Sequence, residues 1–534
     1  MKHALAFLVG ALALVCSAAA DDPKPEDKAK AKDKVPGLPL GRDTTFVVGP
    51  LDKNGDIDYE GALNAEMSKG VTAANNANVL LIRAFGPKPE GADLPPSYYR
   101  WLECEQPPPN GDYLIDIYKF TTRVIQVPES QREALYEFQS RATKYPWVPK
   151  DCPPLAEWIK GNEKPLALVH EAVKRERYFN PLVTRKRDGE PSALIGALLP
   201  TVQKCREFAS LLAGRATLRI GEGKYDEAWA DIVACFRLGR HISYGGTLIE
   251  GLVGVAINQI AANAAFAYLD RAPLTADQAR ARMKELADLR PLCPLADKIG
   301  VCERMMGLDV VQSARRGPVN AAWIREILNE NRELTEDERK AYDKVDWAVT
   351  MQTMNKWYDR NAEIIGTQNR AARMKAAEEA EADLKKLKEG FAKPDTVKKL
   401  LEAKDAPKVL GKALGEFLTT NLTPAYQKVM QAHDRAAQTD RTLQVAFALA
   451  AYKADTKKYP AKLDDLAPKY LKEVPTDLFL DDKPLVYKLT EKGYQFYSVG
   501  VNGKDDGGKT YGDDPPGSDD LGLALPLPEP KKPQ

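Results

Sequence analysis

Apolar residues recur at helical spacing through most of the middle of the chain. From Leu155 to about Asn421 that period coincides with abundant Ala, Leu, Glu, Lys and Arg and few β-branched runs, which predicts a large α-helical domain over 155–421. Its clearest unit is KCREFASLLAGRATLRIGEGKYDEAWADIVACFRLGRHI, two amphipathic helices joined at Gly221 to Gly223, with Tyr225 and Trp229 expected in the interior. The next segment, Thr247 to Leu269, is apolar enough to raise a membrane span, but Glu250, Asn258, Gln259 and Asn263 would be costly in lipid. A buried central helix is the expectation, with Gly251, Gly254, Ala256, Ala261 and Ala262 allowing close packing. From Asn369 to Lys408 opposite charges alternate at helical spacing, as in a solvated helical arm interrupted near Pro394 and Pro407.

The period changes at both ends. Residues 44–154 mix a short β-like run, helical pieces and Pro-rich connections, and read as an irregular α-rich N-terminal region. Within it Asp52, Asn54, Asp56 and Asp58 alternate like the first ligands of a calcium loop, yet Ile57 stands at the glycine position and Leu63 where a bidentate Glu is required. A polar turn capping a helix from about Tyr59 is expected there. Residues 422–525 open with a long helix from about Thr423 to Thr456, its apolar face carried by Leu443, Phe447, Ala450 and Ala454, and Pro460 bars its continuation. Two alternating runs follow, PLVYKLT and GYQFYSV, around the turn Glu491 to Gly493. They predict a β-hairpin with Tyr494, Phe496 and Ser498 on one face and Gln495, Tyr497 and Val499 on the other. The fold class is therefore mainly α: a large helical domain followed by a small α+β module, a long helix plus an antiparallel hairpin or sheet.

The hairpin runs straight into YSVGVNGKDDGGKTYGDDPPGSDD, Tyr497 to Asp520. The order of helix, Tyr459-Pro460, Tyr470-Leu471, Pro475, Asp477, Tyr487, Tyr497-Ser498, Gly500 and Asp505 to Gly508 resembles the C-terminal globular half of the major pseudopilin of type II secretion, over roughly 441–525. The resemblance implies a sheet packed on the helix and a calcium ion in the loop after the last strand. Carried onto this chain, it points to Asp505 as first acidic ligand, with Asp506, Asn502 and carbonyls near Val499 as neighbours. Either Asp513-Asp514 or Asp519-Asp520 closes the site, and Asp519 and Asp520 are favoured because the apolar run LGLAL follows them. The residue chemistry agrees, since calcium takes hard oxygens and glycines let main-chain carbonyls reach it. Gly223, Tyr225, Ala228, Ile232 and Cys235 are similarly spaced to the second helix of a tetratricopeptide hairpin, although no second copy appears at the repeat period.

Composition narrows the function. Lys plus Arg (77) nearly balances Asp plus Glu (76) over 534 residues, so no global field attracts nucleic acid. MKHALAFLVGALALVCSAAA reads as a secretory signal peptide cleaved after Ala20, 21–43 as a disordered linker and 526–534 as a disordered tail. The expected location is periplasmic or extracellular, with no stable membrane span in the mature chain. Six cysteines remain, Cys104, Cys152, Cys205, Cys235, Cys293 and Cys302, and a Cys293–Cys302 bridge is expected around a Pro-rich turn. No GxSxG, SxxK, phosphate loop, dinucleotide fingerprint or HExxH occurs, and His433-Asp434 reads as an exposed capping or salt-bridging pair. The sequence thus points to a noncatalytic scaffold or interaction protein of the bacterial cell envelope, its partner an unidentified envelope protein. The alternative is a secreted hydrolase with paired carboxylates in the helical domain.

Overall fold

The computed structural model describes residues 37–89, 91–184, 194–197, 199, 201–317, 335–391, 393, 395–423, 425–481, 483–510 and 516–529. The expected signal peptide, most of the expected linker, Asp513 and Asp514 lie outside them, as does the tail from 530. The described chain is mainly helical, with a small antiparallel sheet near the C-terminus.

Asp58 caps α1 (Tyr59–Met67), its side chain accepting from the Gly61 N–H, so the polar turn before it has the expected capping role. The turn's other carboxylates are neutralised by arginine: Arg316 reaches Asp52 at 2.6 Å and Asp56 at 3.1 Å, and Arg315 also pairs with Asp56. Downstream come α2 (Ala77–Phe85), α3 (Pro153–Gly161), α4 (Glu163–Ala172), α5 (Val202–Gly221) and α6 (Tyr225–Ser243), then α7 (Leu248–Arg271) and α8 (Ala276–Ala287). The α5–α6 hairpin turns where expected. Trp229 is buried, whereas Tyr225 is only partly so.

Among the described residues only α7 is long and apolar enough to cross a membrane, and 61% of its most apolar window is buried inside the protein. Its first turn is closed by a capping box between Thr247 and Glu250. Where α7 crosses α6, two glycines face each other: a Cβ on Gly239 would stand 3.0 Å from the Gly254 carbonyl oxygen, and one on Gly254 would stand 2.7 Å from that of Gly239. No larger residue fits at either position without separating the backbones.

Beyond α9 (Arg304–Arg315) lie α10 (Trp347–Gly366), α11 (Arg370–Phe391), α12 (Ala406–Leu422) and the long α13 (Tyr426–Thr456). Lys457 ends α13 in the left-handed conformation, before Pro460. The strands are β1 (Thr476–Asp477) paired with β2 (Lys483–Pro484), and β3 (Val486–Leu489), β4 (Tyr494–Ser498) and β5 (Leu521–Leu525) in the antiparallel order β3-β4-β5. LGLAL is thus a third strand beside the expected hairpin, with Phe496 opposite Leu523.

Two cores meet at α13. One gathers Ile57, Leu63, Met305, Leu308, Met351 and Met354 with Tyr426, Val429 and Met430 from the start of α13. The other joins α2 to α7 with Leu443, Phe447 and Leu449 from its second half, and with Tyr494, Phe496 and Leu523 of the sheet. Apolar packing therefore runs without a break across residues 154/155 and 421/422: Phe85 stacks on Phe208 at 4.8 Å, and Phe447 meets Trp229 edge-on at 5.3 Å.

Two expectations are corrected. All six cysteines in the described residues are free thiols. Cys302 points into the buried interior toward Met306, and Cys293 toward the Pro294 carbonyl, so helical winding between them sends the two sulfurs apart. The charged segment 369–408 is not merely a solvated arm, because Ala377 and Ala380 are buried and the first turn of α11 supplies Arg370 and Arg373 to a buried acid on α13.

Phe447→Ala removes a fully buried ring from the shared core and is expected to destabilise the protein by about 3–5 kcal/mol. Unfolding followed by helical circular dichroism and by tryptophan fluorescence should shift together. A helical signal that melts at the wild-type midpoint while the fluorescence transition moves would show that the two parts are energetically separate.

Candidate functional site

The acidic loop hangs on the end of β4. Its anchor is Asp477, wholly buried on β1, which accepts from the N–H groups of Phe479 (2.8 Å) and Val499 (2.9 Å) and from the Ser498 hydroxyl (2.7 Å). A buried carboxylate held by three donors fixes the point where strand becomes loop. Gly500 follows with φ +70°, a region open to glycine, and a Cβ there would collide with the Asp519 carbonyl oxygen.

From that anchor the loop brings together the candidate ligands Asn502, Asp505, Asp506, Asp519 and Asp520. Asp519 accepts from the Val501 and Asn502 N–H groups at 3.0 and 3.3 Å, and Arg435 of α13 stands 3.8 Å away. The Asn502 amide donates to Asp506 (2.9 Å) and to the Gly517 carbonyl (3.1 Å), and Asp506 also accepts from the Asp519 N–H (3.1 Å). Asp505 accepts from the Tyr497 hydroxyl (2.7 Å) and the Gly507 N–H (2.9 Å), and these two donors hold its carboxyl below the ordinary range. Lys488 donates in turn to the Tyr497 hydroxyl at 2.9 Å. The two limbs of the loop are thus laced by carboxylates accepting main-chain N–H groups. In this arrangement no cluster of three or more His, Cys, Asp or Glu among the described residues is shaped to hold a metal.

Asp520 is the exception to this full pairing. It is completely buried; one oxygen accepts from the N–H groups of Asp506 (3.0 Å) and Gly508 (2.7 Å), while the other, Oδ1, has no hydrogen-bond partner among the described residues. Burial, opposed by those two N–H groups and reinforced by the Asp506 and Asp505 carboxylates, pushes it up to about 6. A buried oxygen without a donor, next to two further carboxylates, fits a hard cation in its chemistry.

Sequence reading missed two contributors. Asp477 is remote along the chain from the loop it anchors, and Tyr497, expected on a face with Gln495 and Val499, is buried beneath the loop as a donor to Asp505. The His433-Asp434 pair also differs from expectation. Asp434 is buried rather than exposed, held by Arg370 at 3.0 Å and Arg373 at 2.7 Å, because α11 packs across this part of α13.

No protein-family model, curated protein or solved structure matches this chain.

The raised Asp520 carboxyl gives a signed pH dependence. Its ordinary value is 3.8 and its folded value about 6, so it contributes stability that is fully present below about 4 and lost as pH rises to about 6. In chelator, Asp520→Asn should therefore gain stability relative to wild type across that window and hold a constant difference above it. Denaturant midpoints of the two proteins that run parallel from pH 4 to 7 would exclude this role.

Proposed function

We propose that this protein is an exported, noncatalytic scaffold or interaction protein of the bacterial cell envelope, whose pseudopilin-like C-terminal module is set by calcium. The observation that carries the reading is the buried Oδ1 of Asp520, which has no hydrogen-bond partner among the described residues and feels the charges of Asp506 and Asp505. The Asp506 and Asp505 carboxylates both raise the Asp520 carboxyl, and a divalent cation would relieve that repulsion while supplying a partner for its free oxygen. Asp520, Asp505 and Asp506 would hold the ion, with Asn502 and Asp519 shaping the loop around it. The ion's part is to close the loop over Tyr497 and β4, which makes it structural.

The position of the loop supports an interaction role. It lies on the sheet that completes the core, so closing it stiffens one surface without rearranging the helices behind. The signal-like N-terminus supports an exported location, where calcium is abundant enough to fill sites of modest affinity.

Calcium binding only to the folded full-length protein should raise its stability by about 2.7 kcal/mol at a hundredfold excess over Kd. Chelator should reverse the gain, magnesium should give less of it, and Asp505→Ala should abolish it. Wild-type protein whose melting temperature is unmoved by millimolar calcium would overturn the reading. Export has its own test: N-terminal sequencing of the mature protein should begin at Asp21, and retention of Met1 in protein recovered from the envelope would exclude cleavage.

A further inference from the structure

A second feature stands apart from the loop. The C-terminal end of α4, one face of α6 and the last turns of α8 line an open-sided cavity of about 440 Å³, with Arg175, Arg237, Arg240, His241, Lys284 and Arg290 among its walls. Arg237, Arg240 and His241 recur at helical spacing, which puts them on one face of α6. The apolar part of the wall is Val173, Ala281 and Leu289.

The cavity also contains Glu176, Glu285 and Asp288, so the balance depends on who pairs with whom. Asp288 is taken by Lys284, and Glu285 accepts from the Trp229 ring N–H at 2.7 Å, with Arg237 only at 3.8 Å. Glu176 pairs with Arg177, which does not line the cavity, at 3.4 Å. Arg240 is matched from outside by Asp440 at 2.7 Å. Arg175 gives its hydrogen bonds to the carbonyls of Ala73 and Asn76, and Arg290 lies over the Tyr244 ring. Among the described residues Arg175 and Arg290 thus have no carboxylate, and Arg237 has only a distant one.

The deeper part of the wall shows the same imbalance. Arg240 and His241 are each only 7% exposed, and the Arg240 Nε and His241 Nδ1 have no hydrogen-bond partner among the described residues. Burial first, then the neighbouring Arg290 and Arg237 charges, pushes His241 down to about 4, opposed by main-chain contacts at Val173 and Arg175. It is therefore neutral at neutral pH, able to act as a donor or an acceptor. The carboxylates in this cavity are each engaged by a neighbouring side chain, Asp288 by Lys284, Glu285 by Trp229 and Glu176 by Arg177. Its surplus is guanidinium, whose planar fork matches oxyanions.

We propose that this cavity binds a small organic anion, whose phosphoryl or carboxylate groups engage Arg175, Arg237 and Arg290 while its apolar body rests on Val173, Ala281 and Leu289. The volume lies within the range of small-molecule sites, about 300–1,000 Å³. The site is independent of the calcium loop, so either can fail without the other.

The test is isothermal titration of the full-length protein in calcium-free buffer at low ionic strength, with phenyl phosphate and phthalate as probes. At least one probe should bind at millimolar concentration or below, and added sodium chloride should weaken it. Binding of phenyl phosphate alone assigns a phosphoryl head, and binding of phthalate alone a carboxylate head. The Arg237→Gln/Arg290→Gln double variant should lose about tenfold or more in affinity. Both side chains lie near the surface, so its melting temperature should stay close to wild type. As a milder check on folding, Arg290→Lys should retain part of the affinity. Failure of both probes to bind, or binding that the double variant leaves unchanged, would overturn the proposal.

Discussion

One helix has to satisfy two cores at once. The first turns of α13 bury Tyr426, Val429 and Met430 against α9, α10 and α12, and its second half buries Leu443 to Ala451 against α6, α7 and the sheet. Between them lies a polar girdle: Asp434 bound by two arginines of α11, Asp440 by Arg240 of α6, and Gln438 accepting from the Leu478 N–H at 2.9 Å. Apolar surface sets how strongly α13 adheres, and this girdle sets its register, because sliding the helix by a turn would strand buried charges. The cavity wall at Arg240 and the loop next to Arg435 both inherit their positions from that register.

Much of this was legible in the chain because it is local. The α5–α6 hairpin, the cap at Asp58 and the buried character of α7 follow from period, turn chemistry and the cost of amides in lipid. The hairpin of β3 and β4 appears where expected, although Tyr497, on the face opposite Tyr494 and Phe496, is buried as well. What escaped depends on contacts between distant residues. LGLAL looked like an apolar tail to the loop, and only its pairing with β4 makes it a strand. Asp477 gave no local hint that it anchors Val499. Apolar packing also joins the faces of helices far apart in sequence, as where Phe447 meets Trp229.

Loop and cavity resolve like-charge crowding in different ways. In the loop, main-chain N–H groups engage the carboxylates and leave one buried oxygen without a partner among the described residues. In the cavity, the cations outnumber the acids available to them, and an aromatic ring and main-chain carbonyls take up part of the surplus. Backbone dipoles serve the anionic case well, because N–H groups at a glycine-rich turn can be aimed together.

The glycine contact between α6 and α7 bears on how the chain is made. It lets α7 settle against α6 soon after both have been synthesised, but the apolar half of α13 that covers their other side is encoded about 170 residues after α7 ends. At roughly 5–20 residues per second a ribosome needs about ten to thirty seconds to cross that gap. Through that interval α7, among the described residues the one helix long and apolar enough to cross a membrane, keeps a face that α13 has yet to cover.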